Sequence, residues 1–139
     1  MADLSITAAQ VLEGTIAEIE SGTAGEAVTA GQAGYMDTTV GKYKLADANN
    51  TAATAVTKII FLNSAAADQP VKGVKEGTIT LGADASVIEG TVYVLSDTPG
   101  GIAPAADLAT GWNVSVLGVG NDSDGLEVKI NNSGATVPA

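Results

Sequence analysis

Three stretches of this chain, Thr78-Ile79-Thr80-Leu81, Trp112-Asn113-Val114-Ser115-Val116 and Leu126-Glu127-Val128-Lys129-Ile130, alternate apolar and polar residues with a period of two. A helix would scatter such side chains around its circumference, whereas a strand gathers them on one face. Glycines and short Asp/Asn/Ser clusters separate runs of this kind from Ala24 onward, which is the pattern of an all-β fold. The alternation places Ile79 and Leu81 on one face with the two threonines on the other. It places Trp112, Val114 and Val116 inward in the second run, and Glu127 and Lys129 in water in the third.

One hairpin design occurs twice. Residues 30–47 (AGQAGYMDTTVGKYKLAD) and 89–107 (EGTVYVLSDTPGGIAPAAD) each carry a glycine, then Tyr35 or Tyr93, then an Asp-Thr turn closed by glycine, then an apolar return. Gly41 supplies a positive φ in the first turn; in the second, Pro99 fixes φ and Gly100-Gly101 supply the permissive positions. The run 121–125 (NDSDG) forms a third turn. The spacing is too irregular for a solenoid and points to hairpins within one barrel or sandwich. Val11, Leu12, Ile16 and Ile19 approximate helical spacing, but Gly14 interrupts it, so strand or irregular arm leads over helix for Ala8 to Glu20. Residues 63–68 have the composition of a single helical turn, with Pro70 restarting extended chain. The expected architecture is a single small β-barrel or β-sandwich domain with at most one short helix. Residues 1–22 form an N-terminal arm with a first strand or short helix, 23–131 the β-rich domain, and 132–139 a flexible tail.

A chain of 139 residues suits one domain, and with aromatics at 4% its core must be built from small and β-branched side chains. Sixteen acidic residues face six lysines and no arginine, a net charge of −10. A phosphate-binding surface needs clustered cations, so direct nucleic-acid binding is not expected. The same charge also serves simply to keep a globular protein in solution. Asp3 stands where a signal peptide carries its basic residues, and the longest aliphatic/aromatic run is Ile59 to Leu62. Neither a signal core nor a membrane span is expected, and the protein is read as made in a cytoplasm.

Histidine and cysteine are both absent, which removes His-based triads and bases, thiolate nucleophiles, disulfides and thiolate metal sites. The serines lack a nucleophile elbow, although a Ser-Lys pair stays open. Asp97 and Asp107 sit where an aspartate commonly bonds its own backbone. The 121–125 turn resembles the start of a calcium loop, yet position 12 counted from Asp122 is Ser133 and Glu127 comes too early; a hairpin turn fits better. Gly118-Val119-Gly120 lacks the spacing of a nucleotide fingerprint. Trp112 suits either the core or a sugar-stacking platform, and the periodicity favours the core. Tyr35, Tyr43 and Tyr93 are expected to cap barrel ends with their hydroxyls toward solvent. No cofactor and no metal are called for, and no catalytic step is expected.

The run from Thr23 to Gln32, followed by Tyr35-Met36-Asp37 and Gly41 to Asp47, resembles tailed-bacteriophage head decoration proteins, the small capsid cement proteins. A second block agrees: Gly90 to Ser96, Pro99 to Pro104, Asp107 to Gly111 and Val116 to Val119. The motifs are turn motifs, and their order and spacing across most of residues 1–131 carry the likeness. The resemblance implies a non-enzymatic β-rich virion protein on the outer surface of the head, often a homotrimer, lying across junctions of the major capsid protein and stabilising it against internal DNA pressure. On that reading Leu4, Ile6, Val11 and Leu12 of the arm, with Pro99 and Ile102 of the second hairpin, are the expected capsid- or subunit-contact residues. The arm is expected to reach a neighbour by adding a strand to an exposed edge. A tail or spike accessory, or a bacterial surface glycan-binding module using Trp112, is the alternative; an enzyme with acidic catalytic residues is a third.

Overall fold

Nine strands form one curled antiparallel sheet, a half-barrel, in the structure, a computed structural model that describes residues 3–122 and 124–138. They are β1 (Leu12–Thr23), β2 (Ala33–Asp37), β3 (Lys42–Leu45), β4 (Thr57–Phe61), β5 (Pro70–Thr80), β6 (Val92–Leu95), β7 (Ile102–Pro104), β8 (Asn113–Gly120) and β9 (Gly125–Thr136). The order is β3-β2-β4-β5-β9-β8-β6-β7, with β1 paired to β5. Helical structure among the described residues is limited to 3-10 turns at Ala8–Gln10, Ala83–Ala85 and Ala105–Asp107. The all-β expectation holds. The helical turn expected at 63–68 does not form: Ala65 and Val28 exchange backbone hydrogen bonds (2.9 and 3.0 Å), which requires extended chain there.

The two look-alike segments are the hairpins β2–β3 and β6–β7, and they stand at opposite ends of the strand order. Their turns use Gly41 at φ +69° and Gly100 at φ +76°. Curling brings them together. The Ala33 N–H donates to the Gly100 carbonyl (2.9 Å), the Gly100 N–H to Ala46 (2.7 Å) and the Ala48 N–H to Ser96 (3.0 Å). In the first turn the Asp37 carboxylate accepts from the Thr39 N–H, as its position suggests; in the second, the Ser96 hydroxyl accepts from the Thr98 N–H, a role expected of Asp97.

β5 is the hub. β1 runs along its whole length, while β4 pairs with its first half and β9 with its second. β4 divides two apolar cores: Ile60 joins Val74, Ile79, Leu95, Leu117 and Leu126 in the larger, and Ile59 and Phe61 join Val28, Tyr43 and Val71 in the smaller. A strand covered on both faces has no polar side to alternate with, which explains the unbroken Ile59-Ile60-Phe61 run. Phe61 meets Tyr43 edge-on, ring centroids 6.4 Å apart.

Ile79, Leu81, Leu126 and Val128 are buried as the alternation requires. The second run differs. Trp112 is buried in the turn before β8, but Ser115 and Leu117 face the core, with Val114 and Val116 only half-buried. Trp112 directly precedes β8 and stands outside its ladder, so its burial does not set which face of the strand points inward. Ser115 is admitted because Asn132 reaches over from β9: its Oδ1 lies 2.6 Å from the Ser115 hydroxyl and accepts the Thr57 N–H (2.9 Å), and its Nδ2 donates to the Thr57 carbonyl (3.0 Å). That side chain links β9 to β4, which no backbone ladder joins. The last strand, expected to end near 131, thus continues to Thr136 opposite Asn113. Tyr93 also departs from expectation. It is fully buried and its hydroxyl accepts the Ile88 N–H (2.9 Å) instead of reaching solvent.

Candidate interaction surface

β1 spans twelve residues, yet most of its side chains are exposed. Its ladder with β5 is interrupted twice: Glu13 and Ala17 pair with Ile79 and Gly77, and Glu18 and Ile19 with Glu76 and Val74. At the first interruption β1 carries two extra residues and bulges away from the hub. Thr78 pins the bulge, because its hydroxyl lies 3.2 Å from the Ile16 carbonyl and 3.4 Å from the Ile16 N–H. Gly77 allows it. Its φ is +109°, and a Cβ there would collide with the Ile16 carbonyl. The consequence is that Ile16 stands 78% exposed, flanked by Leu12 at 63% and Ile19 at 36%.

Beside this row lies an open hollow of about 690 Å³ lined by Val11, Leu12, Ile19 and Leu62, with Glu13 and Lys72 at its margin. The outer edge of β1 has no strand partner among the described residues until its end, where Ala24 bridges Tyr43 and the Gly25 N–H donates to the Tyr43 carbonyl (2.7 Å). Burial pushes the Tyr43 hydroxyl above its ordinary pKa, and the neighbouring Glu20 carboxylate adds to the rise. Glu13 and Glu18 are exposed and make no salt bridge with another described residue.

The six residues expected at contacts fall into different environments. Val11 is 5% exposed and Ile102 1%, so both belong to the larger core, and Val11 shows only an edge at the floor of the hollow. Leu4 and Ile6 are half-buried against the same core. The Leu4 N–H donates to the Ile102 carbonyl (2.8 Å), and the Asp3 carboxylate accepts from the buried Ser96 hydroxyl (2.8 Å). The arm thus lies along the β7 edge of its own sheet, where a reach onto a neighbour was expected. Pro99 is exposed on the second hairpin, and Leu12 is exposed on β1. Ile16 and Ile19 are exposed on β1 as Leu12 is; their spacing was visible in the sequence but resembled a helical face, because the bulge between Glu13 and Ala17 breaks the two-residue period.

Trp112, buried, offers no ring for a sugar to stack on. Around the 121–125 turn, the Asp122 carboxylate accepts the Asp124 N–H (3.0 Å), which lowers its pKa, while the charge and hydrogen bond of Asp122 raise that of Asp124. Among the described residues no three His, Cys, Asp or Glu side chains come together as a metal site, and no helix is long and apolar enough to cross a membrane. No protein-family model matches the chain, and no curated protein matches it at a significant level.

Proposed function

We propose that this chain is a non-enzymatic structural protein of a phage particle, a capsid decoration protein that binds the outer surface of the mature head across junctions of the major capsid protein. The observation that carries the reading is the β1 face: an isoleucine held almost fully in solvent by a pinned bulge, between two further exposed apolar side chains. Burying each of these side chains against a partner is worth roughly 1.5–3 kcal/mol, and solvent gives them nothing. The sequence blocks that resemble decoration proteins supply the identity of the partner. An acidic, arginine-free chain is poorly suited to packaged DNA, which favours the outside of the shell.

A site assembled from several shell subunits exists only after the lattice has matured. Binding there stabilises that lattice by about 2.7 kcal/mol per site when free protein is 100-fold above Kd. Repeated over a shell, modest affinity becomes a strong restraint on internal pressure, and association of the chain as a homotrimer would multiply the contacts. Cosedimentation with expanded heads and with unexpanded procapsids is the test. Saturable binding to the expanded form alone supports decoration; equal binding to both, or to neither, refutes it. Burial of Trp112 leaves the glycan-module alternative without the side chain on which it was built.

A further inference from the structure

We infer that the outer edge of β1, from Leu12 to Ile19, receives an extended segment of the shell protein as an added strand, and that the segment carries lysine or arginine among apolar residues. The inference deepens the decoration reading and rests on it for the source of the segment. Geometry supplies the first part. An unpaired strand edge is a template for another strand, and proteins that must keep such an edge free commonly guard it with lysine, proline or a bulge that turns the edge away. Here the bulge instead projects Ile16 outward, and β1 contains no lysine and no proline. The Ala24–Tyr43 bridge closes the edge beyond Thr23, and the stretch from Leu12 to Ile19 within the open part matches a strand of about eight residues, roughly 26 Å at the usual rise. Alternate side chains of that strand would meet Leu12 and Ile19 beside the hollow they line on one side, and the projecting Ile16 at the bulge.

Charge supplies the second part. β1 carries Glu13, Glu18 and Glu20, and the paired stretch of β5 carries Glu76 against Lys72 and Lys75, so the ladder holds four carboxylates and two ammonium groups. Lys58 shares a shallow hollow with Glu18, Lys75 and Glu76, and Lys129 stands opposite Glu76 across the β5–β9 ladder, so the cations lie on the inner side of β1 and none on β1 itself. A second copy pairing β1 to β1 would set three glutamates against three more, with no cation on either strand. Like charges across a strand pair destabilise it, whereas a cationic strand turns the same carboxylates into partners.

Two eight-residue peptides test this with the isotopically labelled full chain: one alternating valine with lysine and threonine, the other with glutamate in place of the lysines. The cationic peptide is expected to shift the amides of residues 12–19 and to bind about tenfold more tightly than the acidic one. Combining Glu13→Gln with Glu18→Gln should bring that ratio below about threefold. Equal binding of the two peptides, binding of neither, shifts confined to another face, or concentration-dependent shifts of the β1 amides without peptide would each overturn the inference. A Thr15→Pro variant, checked for folding by circular dichroism, separates the two proposals. If the wild-type chain and Thr15→Pro both saturate expanded heads, the added-strand inference fails and decoration stands. Failure of the wild-type chain to bind heads removes decoration whatever the peptides do.

Discussion

β1 and β4 pair with the same strand and use the same kind of residue in opposite ways. β4 is five residues long, and its Ile59, Ile60 and Phe61 are fully buried, pointing alternately into two cores. β1 is twelve residues long, and its Leu12, Ile16 and Ile19 are exposed. Hydrophobic side chains on β4 stabilise the fold because they leave water when the chain folds. Those on β1 stay in water and contribute little to folding, which leaves them available to the proposed partner. Substitutions in the two strands should therefore separate stability from binding.

The largest effect belongs to β4. Phe61→Ala removes the ring that fills the smaller core against Tyr43 and should cost about 3–5 kcal/mol in urea or guanidinium unfolding. A loss below about 1 kcal/mol would mean that this core is loosely packed or collapses around the gap. Next is Asn132→Ala, which removes the amide that donates to the Thr57 carbonyl and accepts from the Ser115 hydroxyl, while the Thr57 N–H keeps the Ala55 carbonyl (3.0 Å); about 1–3 kcal/mol is expected by the same measurement. Gly77→Ala strains a residue at φ +109° and presses on the Ile16 carbonyl, for roughly 1–3 kcal/mol and a shift of the β1 amides in NMR spectra. Unchanged β1 amides would show that Gly77 does not hold the bulge.

A smaller effect comes from the first hairpin. The Asp37 carboxylate accepts from the Lys44 ammonium (2.9 Å) and from the Thr39 N–H, and these hold its pKa below the ordinary value. A depressed carboxylate stabilises the folded state above its unfolded pKa, about 3.9, and that contribution disappears as pH falls through the lower folded value. The group is solvent-exposed, so the effect is small. An acid titration followed by circular dichroism should show the wild-type advantage over Asp37→Asn at neutral pH and none at the acid end. Smallest of all is Ile16→Asp, expected to change folding stability by no more than about 0.5 kcal/mol.

The comparison also explains what was legible in the residues. Ile79-Thr80-Leu81 and Leu126 to Lys129 lie on strands with one wet face and keep strict alternation, so their orientation could be read directly. β4 offered only an apolar run, because both faces are dry. β1 looked partly helical because the bulge between Glu13 and Ala17 breaks its period, and Ile16 and Ile19 were for that reason not grouped with Leu12 as surface residues. Residues 132–136 are small and polar; nothing local announces a strand, which depends on pairing with β8 and on the reach of Asn132 to Thr57. The arm is expected from its residues to reach a neighbour because its partners within the chain, Ile102 and Ser96, lie more than ninety positions further on, where nothing local announces them.

The central claim is that the outward face of β1 does the work of this protein. The most direct measurement is quantitative pelleting of wild-type chain and Ile16→Asp with expanded heads, alongside their unfolding curves. The account predicts coincident unfolding curves, saturable pelleting of the wild type, and a variant that stays in the supernatant. A variant that pellets as well as the wild type, or a wild type that never pellets, contradicts it.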